Sequence, residues 1–322
     1  MPTPLLFIAA VLIWGSTFLV ITFQLGEVAP AVSVVYRFGI GAAILFAWCA
    51  VRRERLWVGW RRQPWLMLQG LLNFGLSYVC TYQAEGYLVS ALVAVLFALM
   101  VFWNAVGARF CFGTRLTWAT LCAAAVSICG VVLLFSASLA HVWQDRGDAS
   151  GGTFAFGLFL AILATLSAST GNMVAVQVGR QHDNNVFVTT AWAMLWGMLS
   201  VSLWAVATGQ PWRLPQTPVY WAAMLYLALF GSVVAFTAYF TLINRIGPGK
   251  AAYTGVLTPV VSVLLSMRFE GYRPGPTGFL GMALCLAGVV WAIRGKGSTP
   301  TASDGPERST PADLNAATGD HA

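Results

Sequence analysis

The chain has 322 residues, 58% of them hydrophobic and 9% charged, with a formal net charge of +7 and a mean hydropathy of +0.73. Soluble globular proteins carry about 25% charged residues, so this chain cannot clothe a water-facing surface of its size; a cytosolic enzyme, a nucleic-acid-binding domain and a disordered regulator are excluded. The positive charge does not restore a nucleic-acid reading, because it comes from arginines scattered over loops and not from one basic face.

In chain order, ten segments hold the ~20 mostly apolar residues that a bilayer-spanning helix needs: roughly 4–22, 30–50, 65–84, 87–108, 116–136, 153–176, 186–207, 219–243, 250–267 and 276–293. The runs are continuous and too long for barrel strands, so a β-barrel is not expected. The first segment is not expected to be a cleaved signal peptide, since it lacks a basic n-region and nine spans follow. The fold class expected is an all-α integral membrane protein of ten transmembrane helices.

The first span carries Trp14 and Thr17. The second carries Arg37, the only basic residue well inside a span, ~10 Å below its outer end at 1.5 Å per residue. An intramembrane charge calls for a partner, and Glu85 at the outer end of span 3 is the candidate. The pair reads either as an outer gate or anion-binding point, or as a structural ion pair. Span 3 bears Gln69, Asn73, Ser77 and Thr81, each four residues apart and so on one helix face, with Tyr78 and Tyr82 alongside. Span 6 adds Thr165, Ser169 and Asn172, and span 8 adds Thr237, Thr241 and Asn244. Span 9 repeats the four-residue spacing in Thr254, Thr258, Ser262 and Ser266, with Tyr253 beside them. Such faces avoid lipid and point at other helices or at a wet cavity. For a single residue the alternative is a hydrogen bond between helices or back to its own helix. Two full-length stripes in opposite halves favour the cavity. Pro259, mid-span, cannot donate to the carbonyl of Gly255, so this pair reads as a hinge or as a static kink.

With the N-terminus placed in the cytoplasm, inside loops and tail hold thirteen of the eighteen basic residues and outside loops hold four, Arg37 being the remaining one. The arginine-rich loop 51–63 dominates this split, which favours both termini inside. A shift of 158 carries residues 86–134 onto 244–292, with Gly130-Val131-Val132 falling on Gly288-Val289-Val290 and Arg115 on Arg273. Eight of the 49 positions are identical. The element order adds five spans, a polar loop at 137–152, then five spans. An odd number per half inverts the second half in the membrane, a signature of alternating-access carriers with a midplane site. The expected division is a first repeat over 1–140, an inverted second repeat over 141–296 and a disordered cytoplasmic tail over 297–322, Ser/Thr/Pro/Gly-rich with little apolar mass. The same shift aligns small residues Ala123, Ser127 and Gly130 with Gly281, Cys285 and Gly288. They read as packing of helices 5 and 10 within one chain or as a homodimer interface.

The six cysteines form no CxxC pair and the three histidines lie in loops or tail, so no metal site and no cofactor is expected. No Asp or Glu sits at a span centre, and no GxxxxGK[ST] phosphate loop occurs. ATP is therefore not the expected energy source. A uniporter, an exchanger or coupling through the outer acidic residues is expected instead.

These residues resemble the drug/metabolite transporter superfamily, in particular its EamA family of ten-helix carriers. The resemblance rests on Trp14-Gly15-Ser16-Thr17-Phe18, Tyr36-Arg37-Phe38, the run from Ala91 to Asn104, Ala251-Ala252-Tyr253-Thr254 leading to Pro259, Phe269-Glu270-Gly271, and Gly288. The first half departs from the pattern: Val101 stands where span 4 would have proline, and Gly113-Thr114 lacks the usual acidic residue. The resemblance implies ATP-independent export, or sometimes import, of small metabolites across a bacterial inner membrane. The expected protein is thus a secondary transporter of small organic metabolites such as amino acids or amphipathic compounds, not an enzyme. Its partners are a small-molecule substrate and the lipid bilayer, with no nucleic acid. Its expected substrate-binding residues are Trp14, Thr17, Asn73, Ser77, Tyr78, Thr81, Ser169, Asn172, Tyr253, Thr254 and Thr258, and its gating or hinge residues Arg37, Glu85, Gly255 and Pro259. A translocator of a lipid-linked intermediate is the alternative cargo on the same fold. An intramembrane enzyme would need paired carboxylates, a metal set or a Ser/Lys pair in the bilayer, and none is visible.

Overall fold

The computed structural model describes residues 2–113, 118–134, 149–180, 185–251 and 253–294. The expected tail and most of the polar linker at 137–152 lie outside them. Among the described residues every regular element is helical. Helix α1 is Thr3–Thr22 and α2 is Pro30–Val51. Helix α3 covers 63–84 in three consecutive pieces, Gln63–Gln69, a π-helical Gly70–Leu76 and Ser77–Ala84. Next come α4 at Ser90–Phe112, α5 at Trp118–Leu134, α6 at Ala149–Gly179 and α7 at Val186–Ala207. Helix α8 covers 218–251, again with a π segment: Pro218–Tyr226, Leu227–Val234, Ala235–Ala251. Helices α9 (Tyr253–Phe269) and α10 (Pro276–Arg294) follow.

Local chemistry sets these ends. Proline occupies the first turn of α2, α3 and α8, where its missing N–H is not needed. The Asn185 side chain accepts from the backbone N–H of Phe187 and Val188 at the start of α7, and Thr217 from Tyr220 at the start of α8. Helix α4 stops at Gly113, whose φ of +69° is a conformation that glycine adopts without a Cβ clash.

Among the described residues, six stretches are long and apolar enough to cross a membrane: Thr3–Thr22, Pro30–Val51, Ser90–Phe112, Gly152–Gly179, Val186–Ala207 and Pro218–Ile243. Leu121–Leu134, Leu257–Phe269 and Pro276–Gly288 are shorter apolar helices. The outward surface carries Leu12, Trp48, Phe110, Leu203, Val219 and Leu264, all exposed. So continuous an apolar exterior matches lipid as its solvent.

Helix α2 lies along α7 and α5 along α10. Helix α1 packs on α8 and α9, while α6 packs on α3 and α4. Helix α3 also meets α7, and α8 meets α2. At the α5–α10 crossing the small residues bring backbones together: a Cβ on Gly130 would lie 2.4 Å from the Cys285 nitrogen, and one on Gly281 2.4 Å from the Leu134 nitrogen. The aligned small-residue faces thus fill each other within one chain, and a homodimer using these two helices would have to meet through their other sides. Inside, Phe38, Phe74, Met194 and Leu227 are fully buried in one core, and a second core buries Leu92, Leu96, Leu160 and Val263.

Candidate substrate cavity

Helices α1, α3, α4, α6, α8 and α9 surround a cavity of about 90 Å³. The α3 stripe supplies Asn73, Ser77 and Thr81 to its wall, with Tyr78. Helix α1 supplies Trp14 and Thr17, α6 Asn172, and α9 Thr254, Gly255 and Thr258. Ten of the predicted residues therefore meet at one cavity. Four others stand back from it. Ser169 donates to Asn104 Oδ1 at 2.8 Å, and Asn104 is the residue that lines the wall. Pro259 sits inside α9 one residue past Thr258, and Arg37 and Glu85 are buried elsewhere. Tyr253 begins α9, and its side chain lies outside the described residues. The sequence reading missed Asn104 and the apolar wall of Phe18, Phe97, Met100, Val101, Phe236 and Tyr239. An amide in the middle of an apolar span was the available signal for Asn104. The apolar residues carry none, since any core helix has them.

The wall's hydrogen-bonding capacity is mostly turned toward acceptance. Thr17, Thr81, Thr254 and Thr258 each donate at 2.8 Å to a carbonyl of their own helix, the back-bonding weighed for single residues above. Their oxygens keep lone pairs free. Ser77 donates across to the Ala164 carbonyl at 2.9 Å. Asn73 Nδ2 approaches Asn172 Oδ1 at 3.5 Å, the outer limit of a hydrogen bond. Gly171 makes room for that amide, because a Cβ there would lie 2.5 Å from Asn73 Oδ1. The indole Nε1 of Trp14 is buried without a partner. The Trp14 ring stands edge-on to Phe236 and Tyr239, with centroids 5.2 and 5.0 Å away. Amides, hydroxyls and aromatic edges with no carboxylate, ammonium or guanidinium on the wall suit a neutral, zwitterionic or amphipathic solute.

Arg37 is fully buried, and its partner is not the expected one. Its Nε donates to Ser232 Oγ at 2.9 Å, and its Nη1 reaches Tyr82 Oη at 3.5 Å. Tyr82 in turn donates to Gln24 Oε1 at 2.8 Å. The guanidinium lies 4.6 Å from the Tyr78 ring centroid. Both Glu85 oxygens are without a hydrogen-bond partner, so no direct Arg37–Glu85 ion pair forms. The physical reason is the π segment of α8: Ser232 sits within it, donates to the Leu227 carbonyl five residues back, and presents its oxygen to Arg37. Arg37, Tyr82 and Gln24 form a buried polar layer between the cavity and the end of the bundle that holds the α1–α2 and α3–α4 connections.

At that same end Glu27, partly exposed in the α1–α2 connection, accepts from Thr217 Oγ1 at 2.5 Å and Thr217 N at 2.9 Å, and from Gln216 N. The hydroxyl and then the backbone bonds from Thr217 hold its carboxyl below the usual carboxylate range. Among the described residues no group of three or more His, Cys, Asp or Glu stands in a metal-holding arrangement.

The sequence matches the EamA-like transporter family over residues 1–136 and 155–294. It is 25% identical over 294 residues to the "uncharacterized inner membrane transporter YedA" of Escherichia coli K12, with 89% of each chain covered. It is 25% identical to the protein PecM of Dickeya dadantii, over 86% of this chain and 88% of that one. It is 24% identical to a "probable terminal-alkyne amino-acid exporter" of Streptantibioticus cattleyicolor, over 88% of this chain and 90% of that one. A solved crystal structure shares the fold, with a TM-score of 0.64 at 20% identity over 90% of this chain and 96% of that one.

Proposed function

Because the chain belongs to the EamA-like transporter family, a multi-pass family with inner-membrane relatives, we propose that it is a secondary carrier of small organic solutes, amino-acid-like or amphipathic, that works by alternating access of two inverted five-helix repeats. The observation that carries this reading is the cavity itself: α1, α3 and α4 of the first half and α6, α8 and α9 of the second all line it, with a polar stripe from each half.

The pairing of helices supports the repeats. Exchanging each helix for the one five places on turns the α1–α9 contact into α6–α4, α1–α8 into α6–α3 and α3–α7 into α8–α2, while α2–α7 and α5–α10 map onto themselves. The π segments begin at Gly70 and Leu227, within one residue of the 158-residue offset. A pseudo-two-fold of this kind lets the halves rock about a fixed site. In this reading all ten helices span the bilayer and both termini are cytoplasmic. The Arg37–Tyr82–Gln24 layer seals the outer side, and Gly255 with Pro259 is where α9 bends. The relative named as an amino-acid exporter supports outward transport of a zwitterion, whose charges the uncharged wall would meet through amides and hydroxyls.

The test is depletion of a pooled mixture of amino acids, nucleosides, sugars, polyamines and amphipathic drugs from proteoliposomes, followed by mass spectrometry against protein-free vesicles. Saturable loss of one solute class is expected, reduced in Asn73→Ala, Tyr78→Ala and Thr258→Ala. Unchanged transport in all three variants would remove the site assignment. Loss of no solute, with a long-chain lipid-linked cargo moved instead, would favour the lipid-linked alternative.

A further inference from the structure

The polar stripe of α3 does not end at the cavity. Glu85 follows Thr81 by four residues, as Thr81 follows Ser77 and Ser77 follows Asn73, which places it about 6 Å further along the same face. Asn73, Ser77 and Thr81 line the cavity, while Glu85 lies beyond it and is 6% exposed. Both its carboxyl oxygens are buried and neither has a hydrogen-bond partner.

The groups acting on it electrostatically are Arg37 from α2 and Glu270 from the end of α9, with the Tyr82 phenol on its own helix. None engages it directly. Arg37 is directed to Ser232 and Tyr82. Glu270 accepts from Ser90 Oγ at 2.5 Å, from Ser90 N at 3.5 Å and from Ser266 Oγ. A carboxylate that is desolvated, unpaired and beside another carboxylate is strongly disfavoured as an anion; a proton removes the penalty. An ionisable side chain placed this way within a membrane protein is a mark of an ion or proton pathway.

We propose that Glu85 is the proton-carrying residue of the transport cycle. With the outer side open, a Glu85 oxygen takes a proton from water there. With the outer side closed and the cavity open inward, it returns that proton to cavity water past Thr81. Solute movement is thereby tied to a proton gradient. This rests on the transporter reading above and adds its coupling ion.

The test uses the full-length protein in liposomes, with two readouts. Infrared difference spectra between acidic and alkaline buffer are expected to contain a protonated-carboxyl band that is absent from Glu85→Gln. A mixed amino-acid pool is the flux probe. Wild type is expected to accumulate the transported member about tenfold per pH unit of imposed gradient for one-to-one coupling. Glu85→Gln is expected to lose that response while counterflow of the same probe remains measurable. Glu270→Gln is expected to keep the gradient response. Should Glu85→Gln not fold, Glu85→Asp provides the second variant, expected to retain the band and the response at a shifted pH. A gradient response that persists in Glu85→Gln, or carboxyl bands identical to wild type, would overturn the proposal. Wild-type vesicles that move no solute would overturn the transporter reading, with the infrared comparison still deciding the proton site.

Discussion

Glu27 shows how far one loop carboxylate reaches. Its bonds to Thr217 and Gln216 tie the α1–α2 connection to the N-terminus of α8. Since those bonds lower its pKa, their contribution is complete above the ordinary carboxylate range and is lost as pH falls through the depressed value. Melting curves of purified protein should therefore lose stability on acidification there, and Glu27→Gln should flatten that acid limb; superimposable curves would contradict the contact. Asn73 is the cavity residue with most to lose. Its removal should weaken apparent solute affinity about tenfold, near 1.4 kcal/mol for one hydrogen bond, and a KM unchanged in Asn73→Ala would remove it from the site. Periodicity made Asn73, Ser77 and Thr81 legible, because four-residue spacing places a face without knowledge of neighbours. The partner of Arg37 was not legible. Ser232 lies 195 positions away along the chain, and only the folded π segment turns its oxygen inward.

Helix ends follow from local residues: prolines in first turns, Asn185 and Thr217 as caps, Gly113 as a stop. The π segments at Gly70–Leu76 and Leu227–Val234 carry no comparable signal, since both are apolar stretches that an α-helix would also accept. They matter for what they leave free: the Leu72 carbonyl in the first accepts from Ser167 of α6 at 2.8 Å. The α5–α10 crossing offers a sharper test. Gly130→Ala places a methyl against the α10 backbone, and the helices must separate at a cost of ~1–3 kcal/mol. A lowered melting temperature is expected, and none at Gly255→Ala, where a Cβ meets only Val101 Cγ2 at 3.9 Å. Equal melting temperatures for the two variants would mean the crossing is looser than described.

For the molecule as a whole, composition alone identified the solvent, and the outward belt of Leu12, Leu203 and Leu264 agrees with it. The weak internal identity hinted at two halves. What it did not contain is how they interleave, since the most extensive helix contacts of each half are made with the other: α1 on α8 and α9, α6 on α3 and α4. That interleaving is what makes a cavity with walls from both halves, and the central claim is that solute passes through it. The most direct measurement is solute depletion from proteoliposomes for wild type and for Gly255→Trp, whose Cβ would sit on the cavity wall in ordinary contact with Val101 Cγ2. With both proteins melting at the same temperature, the account predicts selective depletion by wild type and none by Gly255→Trp. Equal depletion by the two would contradict it.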